Sequence, residues 1–124
     1  MNKKQEFMRV REGLDTMRYS NRSGSHINCF RFTKGEKGGC TWEHEFRKFQ
    51  ICWELASRGH EFMTEPIFNN GKRADVVDLT AMVVYEVLAS EKIDSCAVKI
   101  ESYPDCFEVR MVSALVEWNP KLLD

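Results

Sequence analysis

The sequence predicts an α/β protein, a mixed sheet flanked by helices, and three observations lead there. From residue 42 the hydrophobic period runs in the order helix, three strands, helix, strand, or αβββαβ. The segment Met82-Val83-Val84-Tyr85-Glu86-Val87-Leu88 is nearly continuous in apolar residues, as a central strand covered on both faces is. The chain has 124 residues, 43% of them hydrophobic and 30% charged, the balance of a globular protein with one core. The expected organisation is a single domain over residues 1–124, with a helical arm at 1–25, a short hairpin at 26–42 and the core at 42–112.

The elements follow in order. Phe7, Val10, Leu14 and Met17 recur at helical spacing and predict an N-terminal amphipathic helix. The arm is basic: Lys3, Lys4, Arg9, Arg11, Arg18 and Arg22 stand against Glu6, Glu12 and Asp15. Such a helix docks on its domain, pairs with a copy of itself or lies along a phosphate backbone. Small polar residues at 19–25 then suit a loop. Residues 27–32 and 40–42 read as strands around a glycine-containing connection, and residues 42–58 as a helix that Gly59 terminates. Apolar segments at 60–68, 73–79 and 82–89 follow, the first two separated by the turn Asn69-Asn70-Gly71. Ser90 can cap a helix over 91–102, which Tyr103-Pro104-Asp105 ends, and residues 106–112 supply the last strand.

Composition excludes several classes. With 18 Lys+Arg against 19 Asp+Glu the net charge is -1, so any polyanion must be bound by a local basic patch. There is no apolar run long enough to span a bilayer and no apolar stretch in Met1-Asn2-Lys3-Lys4-Gln5-Glu6, which predicts an intracellular protein without a membrane partner. Five cysteines without regular spacing read mostly as reduced thiols. Neither a phosphate-cradling loop nor a dinucleotide fingerprint occurs.

Two acids stand out. On the helix from residue 42, Glu43, Arg47, Gln50, Glu54 and Ser57 form a polar face. Trp42, Phe46, Phe49, Trp53 and Ala56 form one apolar stripe, and Ile51 and Leu55 another. Glu45, Lys48 and Cys52 fall between the two stripes, on the side expected to face the protein. A carboxylate there is costly unless paired, hydrogen-bonded or bound to metal, and a Glu45 to Lys48 ion pair is one solution. Glu86 is the lone acid of the apolar central strand, and Asp75 lies on the preceding strand, joined to it by a tight connection at Thr80-Ala81. Two carboxylates side by side need a cation between them, and hard oxygen donors suit Mg²⁺ or Mn²⁺. The alternative is pairing with Arg73 or Lys99.

Glu45 on the helix, Arg73-Ala74-Asp75-Val76-Val77, Val84-Tyr85-Glu86-Val87-Leu88 and a following helix together resemble the PD-(D/E)XK nuclease superfamily. That group includes restriction enzymes, Holliday junction resolvases and RecB-like nucleases, and the resemblance covers residues 42–112. It implies a restriction endonuclease-like core. It also implies that Asp75, Glu86 and the backbone carbonyl of Val87 hold Mg²⁺ or Mn²⁺, with Glu45 as the acid of the first helix. Ala74 stands where the family has proline, and Leu88 where it has the lysine that orients the attacking water. Lys99 on the second helix, or Lys48 beside Glu45, is the replacement. The pair His44 and Lys48 is similar to the first-helix pattern of CoiA-like nuclease domains. A rival metal reading groups His26, Cys29, Cys40 and His44 around the hairpin as a tetrahedral zinc site.

The resemblance thus implies a metal-dependent endonuclease acting on DNA, with Glu45, Asp75, Glu86 and Lys99 in catalytic roles; so small a domain spans few base pairs, so symmetric cutting of both strands predicts a homodimer through the N-terminal helix or a sheet edge. Phosphate contacts are expected from the arm and from Lys34, Lys37, Lys72 and Arg73. The alternative is a catalytically inactive nuclease fold that binds DNA or a partner protein, for which Leu88 speaks.

Overall fold

The computed structural model describes residues 1–18, 42–88 and 102–124. The expected hairpin strands at 27–32 and 40–41, and the expected helix at 91–102 except its last residue, lie outside the described residues, as do Arg22, Lys34, Lys37, Lys99, His26, Cys29 and Cys40.

Helix α1 (Lys3–Leu14) opens on a capping box in which the Asn2 side chain accepts from the Gln5 amide and the Gln5 side chain accepts from the Asn2 amide. Val10 and Leu14 pack against the core, but Phe7 is 64% exposed, and Met17 belongs to strand β1 (Met17–Arg18) rather than to the helix. The apolar stripe was expected to run through all four residues. It is interrupted because the helix ends at Leu14, after which Thr16 bonds back to the Gly13 carbonyl.

Helix α2 (Trp42–Ser57) ends where expected. The Gly59 amide bonds to the Ala56 carbonyl and the His60 amide to that of Leu55, with Gly59 at φ +76, the paired pattern of a Schellman cap. Strands β2 (Phe62–Thr64) and β3 (Ile67–Phe68) replace the single expected segment at 60–68. Glu65, at φ +54, and Pro66 break the run, so β2 joins the main sheet while β3 pairs with β1. Strands β4 (Val76–Asp78), β5 (Val83–Leu88) and β6 (Glu108–Ser113) complete a four-stranded sheet in the order β2-β4-β5-β6. β2, β4 and β5 form an antiparallel meander, and β6 adds in parallel to β5. The fold is therefore α/β with a mixed sheet.

Alternation along the central strands feeds two cores. Val77 and Val84 face Met63, Phe68, Tyr103 and Phe107, the layer that α1 covers. Val76, Val83, Tyr85 and Val87 face Ile51 and Leu55 of α2. That second core continues past residue 112, where the expected core ended. Ala114, Trp118 and Leu122 pack on it, and Leu123 in the 3-10 turn Pro120–Leu123 is fully buried and accepts a hydrogen bond from the Tyr85 hydroxyl.

Two expectations about the faces of α2 are corrected. The stripe of Trp42, Phe46, Phe49, Trp53 and Ala56 is exposed, because Ile51, Leu55 and Cys52 are the side chains turned to the sheet. Arg47, placed on the polar face, is buried because the tail after β6 crosses it. Its guanidinium donates to the Ser113 and Val116 carbonyls and lies over the Trp118 ring.

Candidate acid and lysine cluster

The β4–β5 register pairs Val76 with Tyr85. One step further along, at the end of the ladder, it sets Asp75 opposite Glu86. The Val87 amide donates to Asp75 Oδ2 at 2.8 Å, fixing the carboxylate across the strand end. A strand residue's N–H and C=O point to the same neighbour, so the Val87 carbonyl faces this edge too.

Helix α2 approaches the same place. His44, Glu45 and Lys48 occupy one side of its first turns. Lys48, with no solvent exposure, reaches Glu45 Oε2 at 3.0 Å and Glu65 Oε1 at 3.1 Å. His44 Nδ1 lies 3.3 Å from Glu45 Oε1, and its Nε2 lies 3.3 Å from Asp75 Oδ2. Asp75 and Glu86 are within hydrogen-bonding reach of each other, and the Tyr103 hydroxyl donates to Glu86. Arg73 closes the far end, 3.7 Å from Glu65.

The result is one continuous chain of side chains: Arg73, Glu65, Lys48, Glu45, His44, Asp75, Glu86, Tyr103. Among the described residues charge alternates along it when His44 is protonated, except where the acids Asp75 and Glu86 follow each other. His44 is pushed towards protonation by its hydrogen bond to Asp75 and the charges of Asp75 and Glu45, against burial. Burial alone would push the Asp75 carboxyl up, but His44, the Val87 amide and the hydrogen bond with Glu86 hold it below its usual value. Lys48 would lose its proton more easily through burial, yet Glu65 and Glu45 outweigh this and keep it charged.

The structure brings together Glu45, Asp75, Glu86 and Val87 of the expected residues, with Lys48 between two acids. The expected ion pair of Glu45 with Lys48 is present. Arg73 pairs with Glu65 rather than with Asp75 or Glu86, because its side chain lies toward the β2–β3 break. Glu65 was not singled out from the sequence, and Tyr103 only as the end of the second helix on the flank of Lys99. The signal for Glu65 is an acid immediately before proline inside an apolar run, a position that interrupts a strand. Tyr103 has no local signal. Leu88 is partly exposed at the end of β5.

Among the described residues no three His, Cys, Asp or Glu side chains are grouped as a ready metal site, and no helix is long and apolar enough to cross a membrane. No protein-family model matches the chain, and neither a curated protein nor a solved structure matches it.

Proposed function

We propose that the chain is a metal-dependent endonuclease that hydrolyses DNA phosphodiester bonds from a restriction endonuclease-like core. The observation that carries this reading is the juxtaposition of Asp75 and Glu86 at the end of the β4–β5 ladder, beside the Val87 backbone. Two juxtaposed carboxyl groups, one held ionised by His44 and a backbone amide, offer hard oxygen donors that would suit Mg²⁺ or Mn²⁺ once the proton between them leaves. The antiparallel meander followed by a parallel strand also agrees with this core.

In this reading Asp75, Glu86 and the Val87 carbonyl hold the ion, which when bound supplies an activated water and neutralises charge on the scissile phosphate. The chain's own residues do the rest. Tyr103 fixes Glu86 from the opposite side, and His44 fixes Asp75 while its other nitrogen orients Glu45. Glu45, held by Lys48 and His44, would complete the acidic cluster, as a ligand through water or by positioning the nucleophile. Lys48 takes over from the lysine that Leu88 cannot supply, as a fixed positive charge linked to Asp75 through Glu45 and His44. Lys99 is the competing candidate for that role. Exposed Lys3, Lys4, Arg11, Lys72 and Arg73 would meet phosphates, so binding should weaken with salt.

The test is cleavage of plasmid, single-stranded and four-way-junction DNA with Mg²⁺ or Mn²⁺, with Mn²⁺ binding measured by calorimetry and folding by circular dichroism. Cutting by the wild type that is lost in folded Asp75→Ala and Glu86→Ala supports the reading. Loss in Lys48→Met but not in Lys99→Ala assigns the positive charge to α2. Mn²⁺ binding without cutting would favour an inactive nuclease fold that binds DNA, the reading Leu88 supports. Neither cutting nor Mn²⁺ binding would overturn both.

A further inference from the structure

His60 and Asp78 form a pair that the acid and lysine cluster does not use. Asp78, 1% exposed, accepts from the Thr80 and Ala81 amides with Oδ1, and its Oδ2 lies 2.7 Å from His60 Nδ1. A carboxylate oxygen only accepts, so His60 carries a proton on Nδ1, and in the neutral ring Nε2 keeps the lone pair. Nε2 has no partner among the described residues, and the ring, 25% exposed, lines a cleft of 450 Å³.

The cleft opens between the first turns of α1 and the segment that follows α2. Arg9 holds α1 in place by donating to the Ala81 carbonyl. On the α1 side the wall includes Phe7 and Val10, and Phe7 is a large ring that the core leaves uncovered. The opposite wall carries His60 and Thr80. The Thr80 hydroxyl oxygen accepts from the Glu61 amide at 2.8 Å, which leaves its own proton to donate. One buried carboxylate therefore sets an acceptor, His60 Nε2, beside a donor, the Thr80 hydroxyl.

We propose that this cleft binds a neutral aromatic heterocycle with an N–H donor next to an acceptor, the hydrogen-bonding edge of a nucleobase, carried by a free nucleoside. The ligand N–H donates to His60 Nε2, its neighbouring acceptor receives the Thr80 hydroxyl, and its ring lies on Phe7. Clefts of roughly 300–1,000 Å³ with an apolar wall and a few fixed polar groups are the usual form of small-molecule sites. Charge selects the neutral occupant. Among the described lining residues Lys3 and Arg58 stand against Glu6 and Glu61, so neither a phosphate chain nor a free cation meets a net opposite charge. Asp78 fixes the His60 ring before any ligand arrives, which lowers the cost of ordering it on binding. The cleft shares no residue with the acid and lysine cluster, so this site does not depend on the nuclease reading.

The test follows the His60 ring resonances of the isotopically labelled full chain, assigned by their loss in His60→Gln, while uridine or adenosine is added. Saturable shifts with a dissociation constant of about 1 mM or below are expected. Uridine methylated at its imino nitrogen has lost the donor and should bind about tenfold more weakly or not at all. Phe7→Ala, a change at an exposed ring, should weaken uridine binding by about tenfold with an unchanged far-ultraviolet spectrum. The methylated ligand is tested on the wild-type chain, so the outcome does not rest on a variant that folds. No saturable shift with either nucleoside up to about 10 mM, or equal binding of the methylated uridine, would overturn the site. Indifference of uridine binding to Phe7→Ala, or competition by inorganic phosphate, would overturn it as well, the latter by showing that the cleft takes an anion.

Discussion

Lys48 shows how much depends on single side chains here. Its ammonium is fully buried between Glu45 and Glu65, and both carboxylates are themselves nearly buried, at 11 and 5%. Removing one partner from such a group leaves the other charges without compensation, so Lys48→Ala should cost about 3–5 kcal/mol in urea unfolding. A loss below about 1 kcal/mol would show that water reaches these acids. His44 and Asp75 make a second residue-scale prediction through pH. His44 titrates above its usual 6.5, so its contribution is complete below 6.5 and disappears as pH rises through that raised value. Asp75 titrates below its usual 3.8, so its contribution is complete above 3.8 and disappears as pH falls through the lowered value. The difference in melting temperature between wild type and His44→Gln should therefore be largest between the two usual values and shrink on the alkaline side. A constant difference up to pH ~9 would mean that His44 acts by shape alone. At this scale the acids Glu45, Asp75 and Glu86 were legible, because a carboxylate within an apolar pattern is an anomaly anyone can count. Tyr103 was not, because its meeting with Glu86 depends on a tertiary approach that no local pattern encodes.

At the scale of elements, α1 shows packing overriding propensity. Gly13 lies inside the helix, where alanine would ordinarily gain about 1 kcal/mol. A Cβ there would come within 2.7 Å of the Leu79 side chain, which is fully buried and cannot swing away. Overpacking of this kind costs about 1–3 kcal/mol, so Gly13→Ala should be net destabilising and should hasten proteolysis within residues 1–18. Improved stability would show that α1 docks loosely. The C-terminal cap of α2 gives the reverse case, a position without crowding. No atom lies within 4 Å of a Cβ at Gly59, so Gly59→Ala should lose only the cost of a left-handed backbone, about 1–2 kcal/mol in thermal unfolding. That cap was readable in the sequence because glycine after a periodic run has one common use. The exposed side of α2 was not readable. The helix carries two apolar arcs and has one sheet to cover, and periodicity reports that an arc is apolar without reporting what lies against it. The split of residues 60–68 into β2 and β3 escaped for a related reason: apolar content continued through a backbone break that Glu65 and Pro66 impose.

At the scale of the whole molecule, an α/β architecture with a mixed sheet followed from the run of strands, while the closing of the second core did not. The tail after Ser113 has no strong period, yet Leu123 is fully buried, Asp124 meets Arg58 at 3.2 Å and the Leu123 carbonyl accepts from Tyr85. Deleting residues 119–124 should cost about 3–5 kcal/mol, the range for emptying a large buried side chain, with the melting transition still cooperative. A deletion that leaves the melting temperature in place would mean that the tail rests on the core without filling it. The connection between β4 and β5 has a wider consequence. Leu79, Thr80, Ala81 and Met82 reverse the chain, with Met82 at φ +58 and Asp78 Oδ1 accepting from the Thr80 and Ala81 amides. Its length sets which β5 residue stands opposite Asp75. One residue more or fewer would put Tyr85 or Val87 there and turn Glu86 towards the α2 core. In evolutionary terms the two acids can meet only while the number of residues in that turn is kept. A lineage that kept Asp75 and Glu86 but changed the count would have kept the two letters and lost their meeting.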